Sequence, residues 1–154
     1  MNLYELLLFV HLAAVICWIG GAVMFTILGS RGAKAGPPDP QRVIHTAEQA
    51  EWLGTRFYTP LAIVTLLAGI GMVLESGIGF DHLWVLIGLT MIIIAGALGG
   101  AFYSKNTKAL VQGINERGFD EGAQAILKKI VTVSKVELVL LFIVVLVMVT
   151  KPEL

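Results

Sequence analysis

Between Leu6 and Ser30 runs LLLFVHLAAVICWIGGAVMFTILGS, 25 consecutive residues without one Asp, Glu, Lys or Arg. At about 1.5 Å of rise per residue, a helix of that length crosses a hydrocarbon core of about 30 Å with room to tilt. The stretch therefore reads as a transmembrane helix, and the rest of the chain either repeats it or returns for another crossing. Composition agrees, because 56% of the residues are hydrophobic and only 14% charged, against about 25% charged in an ordinary soluble domain. The opening MNLYE has no Lys or Arg, and the apolar run exceeds the roughly 7–15 residues of a secretory signal core, so the helix is expected to stay in the mature protein.

The chain alternates after Ser30. RGAKAGPPDP, residues 31–40, is rich in glycine and proline and reads as a loop. Asp39 and Pro40 make a helix start, followed by Val43, Ile44, Ala47, Ala50 and Leu53 at helical spacing. The next uncharged run is Phe57–Leu74, with Pro60 in its first turns, and then a short glycine-rich turn, ESGIGFDH, spans 75–82. A third run, Leu83–Ser104, starts beside the interfacial anchor Trp84. Residues 105–135 are polar, with Asp120 capping an amphipathic stretch that carries Ala123, Ile126, Leu127, Ile130 and Val133 and feeds a last crossing. The expectation is an all-α, four-helix membrane bundle over residues 1–154, a single integral membrane domain with crossings at about 4–30, 56–74, 83–104 and 130–150.

Orientation follows from the cations. Of the 11 Lys and Arg residues, all but Lys151 fall in or beside the first and third loops. The positive-inside rule then puts both termini outside and both long loops in the cytoplasm of a bacterial plasma membrane. Each half is a long crossing, a cationic turn, an acid-capped amphipathic helix and a crossing back, so the chain has the form of two hairpins related as parallel repeats. A net charge of zero with no basic block argues against a nucleic-acid partner. The single cysteine, Cys17, excludes an internal disulfide.

His11 is the one ionisable group inside the first crossing, about 12 Å below Leu3. Ala14, Trp18, Gly21 and Phe25 share its helical face. An imidazole on a face of small and aromatic residues suits an axial ligand beside a planar macrocycle such as haem b. The competing reading is a histidine bonded to a carbonyl or hydroxyl of a neighbouring helix. His82, Met91, Met72 and Met148 are candidates for a second ligand, and the same His and Met set suits Cu(I), so copper is the alternative cofactor. As a cofactor or metal site the expectation comprises His11, Trp18, Gly21, His82 and Met91. His45 is expected to be solvated. Glu137 is expected to pair with Arg56 or Lys135, and Glu5, Glu75 and Asp81 to gather near His82. Gly96-xxx-Gly100, Ala13-xxx-Cys17 and the Ala62, Thr65, Gly69 row permit close packing within the bundle, in a homo-oligomer or in a larger membrane complex. No catalytic motif is visible, which disfavours an ordinary hydrolase or nucleotide enzyme.

The segments FVHLAAVICWIGGAVMF, EWLGTRFYTPLAIVTLLAGIGMVLE, LWVLIGL and KVELVLLFIVVLVMVTKP resemble, in that order, a bacterial family of small four-helix predicted integral membrane proteins of unknown function. More distantly, the His11, Trp18, Gly20, Gly21 pattern resembles the first helix of copper-resistance-D-type proteins and J-type protoporphyrinogen oxidases. The likeness to the latter, in which a first-helix histidine is implicated in haem binding, implies that role for His11. The third crossing has no interior histidine, lysine or arginine to match further polar positions of those oxidases, so the resemblance does not extend to porphyrinogen oxidation.

Overall fold

The computed structural model describes residues 2–34 and 39–152. Its helices are α1 (Leu3–Lys34), α2 (Pro40–Leu53), α3 (Thr59–Ser76), α4 (Leu83–Ala97), α5 (Ser104–Arg117) and α6 (Glu121–Thr150). A π-helical turn at Gly54–Tyr58 fuses α2 to α3, and another at Leu98–Tyr103 fuses α4 to α5. The chain is thus all-α, with four long helices, each long and apolar enough to cross a membrane, and no strand among the described residues. They pack as a four-helix bundle in which α1 lies on α3 and α6, and α4 on α6. Residues such as Ile16, Ile93 and Val149 point away from the bundle, 70–76% exposed, which in water would be a liability and in lipid is the favoured state.

The local chemistry explains where the helices start and stop. Asp39 caps α2 by accepting from the Gln41 N–H at 3.1 Å, with Pro40 supplying the first helical φ. Asp120 caps α6 by accepting from the Ala123 N–H at 2.8 Å. Gly77, at φ 68°, and Gly118, at φ 75°, end α3 and α5 in backbone conformations that side chains disfavour.

Two expectations need correction. The helix of the first crossing does not give way to a loop after Ser30 but continues to Lys34, because Arg31, Gly32, Ala33 and Lys34 include no strong breaker ahead of Gly36-Pro37-Pro38. Residues 35–38 of the expected loop lie outside the described residues. The polar stretch after Ser104 is also no loop: α5 runs to Arg117. It buries Leu110 and Ile114, 2% and 4% exposed, against Val43 and Ile44 of α2 and Ala123, Leu127 and Val131 of α6. Burying a side chain like Leu110 contributes about 1.5–3 kcal/mol. The amphipathic extensions therefore make a core of their own at the end of the bundle opposite the termini, here called the extension end.

Each π turn has a local cause and places a tyrosine. At Gly54–Tyr58 the Thr59 N–H bonds the Gly54 carbonyl, five residues back, immediately before Pro60. Proline offers no N–H and its ring would press on the carbonyl four residues earlier, so a wider turn relieves the clash. At Leu98–Tyr103 the Ser104 N–H bonds the Gly99 carbonyl, and the adjacent Gly99 and Gly100 offer the needed backbone freedom. Tyr58 lands against α1, its ring edge-to-face with Phe25 at 6.3 Å. Tyr103 donates to Glu137 Oε2 of α6 at 2.6 Å.

Candidate functional site

His11 is half-buried where α1 meets α3, and its Nδ1 lies 2.9 Å from the Thr65 carbonyl oxygen. A carbonyl only accepts, so Nδ1 carries the proton, and in the neutral ring Nε2 keeps its lone pair. Thr65 itself is buried, and its hydroxyl donates to the Leu61 carbonyl at 2.9 Å. One turn on, the imidazole passes beside Gly69, where a Cβ would meet His11 Cε1 at the ordinary contact distance of 3.4 Å. The Thr65 and Gly69 positions of the small-residue row on α3 thus seat a side chain of α1. Gly96, Gly100, Ala13 and Cys17 instead face away from the bundle.

Beside His11 opens a cavity of about 330 Å³ at the end of the bundle that holds the termini. Trp18, Met91, Met72 and Met148 line it together with His11. Its polar or charged neighbours are few: Tyr4, Thr65, Ser76, Trp84 and Lys151. Met91 is 6% exposed and packs on Ala95 and Leu141, with Trp18 and Val144 alongside, so it fills core space as well as facing the cavity. The methyl of Met148 nests over Gly88, where a Cβ would collide with it.

Of the five expected site residues, His11, Trp18 and Met91 share this cavity and two do not. His82 stands at the cap of α4, its backbone carbonyl accepting from Val85 and Leu86 at 3.0 and 3.1 Å, with its ring tilted toward Trp84 at 6.3 Å. Gly21 is covered by Tyr58, whose hydroxyl lies where a Cβ would be. The lower part of the His11 face is therefore filled by protein, and only its upper part can meet a ligand. Among the described residues no three His, Cys, Asp or Glu side chains come together as a metal-binding group. Glu5 stands in the first turn of α1. It forms a capping box with Asn2, each accepting from the other's backbone N–H at 2.8–3.0 Å. His45 is exposed, 3.8 Å from Glu48.

A second polar site lies toward the extension end. Glu137 pairs with the Tyr103 hydroxyl, while Arg56 and Lys135, its expected partners, are exposed and turned elsewhere. Thr26 of α1, 7% exposed, shares a hydrogen bond of 2.6 Å with Ser134 one turn before Glu137. Sequence reading missed Tyr103 as the partner because its direction depends on the π turn. Lys151 was also missed, and its place after the last crossing was the available signal.

Four apolar helices around a cavity within the bundle define an integral membrane protein. The chain belongs to the family described as predicted integral membrane protein (DUF2269), whose model matches residues 5–152. No curated protein matches the chain, and no solved structure does.

Proposed function

We propose that this protein binds haem b in the cavity beside His11, with His11 Nε2 as axial ligand, in a non-catalytic or electron-transferring role. The observation that carries the reading is the 2.9 Å bond from His11 Nδ1 to the Thr65 carbonyl. Histidines that bind metal commonly donate the other ring N–H to a carbonyl or carboxylate, which fixes the tautomer and aims the free lone pair. The methionines on the same lining provide for a second axial ligand, and a His/Met pair is a known haem ligation. The volume of about 330 Å³ is at the small end of the roughly 300–1,000 Å³ of small-molecule sites. A macrocycle would therefore fill it and leave its edge at the open mouth. The likeness of the first helix to that of the J-type protoporphyrinogen oxidases supports the same reading.

Copper is the second reading, favoured by Met72, Met91 and Met148 lining one cavity with an imidazole. We also infer that the termini face outside a bacterial plasma membrane, since the cations other than Lys151 lie toward the extension end. The test is an equimolar titration of purified protein with ferric haem, followed by its Soret band, in wild type and His11→Ala. A shifted, saturating band lost in His11→Ala supports the assignment. A His11→Ala protein with an unchanged haem spectrum refutes it. Retention of Cu(I) with no haem binding would select the copper reading.

A further inference from the structure

Among the described residues the cavity lining carries one formal charge, Lys151, and it sits at the mouth. α6 ends at Thr150, and Lys151 follows in the left-handed region, at φ 44° and ψ 59°, with its N–H bonded to the Val147 carbonyl at 2.8 Å. A non-glycine residue rarely adopts this conformation. Here it accompanies a side chain that crosses to α4, where Lys151 Nζ stands 5.2 Å from the centre of the Trp84 ring. Both residues line the cavity. A cation held on an aromatic face keeps ammonium donors available on its other side. Among the described residues, the acids at this end, Glu5, Glu75 and Asp81, are not on the lining. Below Lys151 the walls on α4 and α6 are apolar through Val85, Leu89, Val144 and Val145. The seven helical steps from Trp84 to Met91 make this wall about 10 Å deep.

From this arrangement we infer that the cavity is built for an acidic amphiphile, its apolar body in the slot and its carboxylate held at the rim by Lys151 over Trp84. The inference rests on the haem reading, in which that carboxylate is a propionate and the macrocycle enters with its acidic edge toward the mouth. The shared chemistry is an apolar body bearing a carboxylate, which a porphyrin or a fatty acid can supply. An apolar slot alone would not distinguish an acid from its neutral ester. A charged rim does, and more strongly at low ionic strength.

The experiment compares acid and ester on the full chain in uncharged detergent. One arm titrates haem and haem dimethyl ester by Soret shift. The other titrates a brominated long-chain fatty acid and its methyl ester by quenching of tryptophan fluorescence, since Trp84 and Trp18 line the cavity. Both use wild type, Lys151→Gln and Lys151→Arg, with helix content checked for each variant by circular dichroism. The expected result, in at least one arm, is an acid bound tenfold or more tightly than its ester by wild type. Lys151→Gln should erase that preference without changing ester affinity, and Lys151→Arg should keep it. Equal affinities for acid and ester in both arms, or a preference that survives Lys151→Gln, would overturn the inference. Failure of the haem reading is seen separately, as the absence of a Soret shift with either porphyrin.

Discussion

Gly20 and Gly21 are chain neighbours with opposite surroundings, and alanine substitution should separate them. A Cβ at Gly20 meets nothing within 4 Å, whereas one at Gly21 would overlap the Tyr58 hydroxyl oxygen and lie 2.5 Å from the ring carbon that bears it. Ordinary contact begins near 3.4 Å, so the ring carbon would have to retreat by about 0.9 Å and the hydroxyl further. That movement also disturbs its edge-to-face contact with Phe25. Overpacking of this kind costs about 1–3 kcal/mol, and loss of an aromatic pair adds about 0.5–1.5 kcal/mol. The helix-propensity gain of alanine over glycine offsets about 1 kcal/mol. Gly21→Ala should therefore lose about 2 kcal/mol, and Gly20→Ala should be neutral or slightly stabilising. Unfolding in mixed micelles with rising SDS, followed by circular dichroism, measures both. In a Tyr58→Ala background the penalty at Gly21 should vanish. Equal stability of the two single variants, or a Gly21→Ala loss that persists without Tyr58, would refute the packing argument.

Tyr103→Phe should destabilise the bundle by about 1–2 kcal/mol, because it leaves the Glu137 carboxyl without its hydroxyl partner. Adding Glu137→Leu should recover most of the loss in the same unfolding assay, and no recovery would argue against the pair. Asp120 accepts from the Ala123 N–H and from Arg117 Nε, and these contacts hold its carboxyl below the ordinary 3.8. A depressed folded-state pKa means the stabilisation is present above the unfolded value and lost as pH falls through the folded one. The Ala123 amide resonance should titrate with a midpoint below 3.8, and Asp120→Asn should abolish that step. A midpoint at or above the ordinary value would contradict the capping geometry.

Uncharged runs were the clearest text in this chain, because no other environment stabilises so much continuous apolar surface, and the four long helices follow from them. α5 was not legible. Its buried stripe reduces to Leu110 and Ile114 among polar residues, too sparse a pattern to outweigh Lys105, Lys108 and Arg117. The π turns were equally hidden, since Pro60 and the Gly99-Gly100 pair permit a wider turn without requiring one. That blindness carried into the site. The face of His11, Ala14, Trp18, Gly21 and Phe25 was read with the right period, yet Tyr58, delivered by a π turn 37 positions after Gly21, occupies its lower part. Met91 could be placed beside His11 from helix rise alone. His82 could not, because its side chain follows the cap of α4 and not the helix face.

The measurement that bears most directly on the account is the absorption spectrum of protein purified from haem-replete membranes, oxidised and then reduced with dithionite, for wild type, His11→Ala and His82→Ala. The account predicts a Soret band with sharp reduced α and β bands in wild type, kept in His82→Ala and lost in His11→Ala. A wild-type spectrum without haem bands, or bands that survive His11→Ala unchanged, would contradict it.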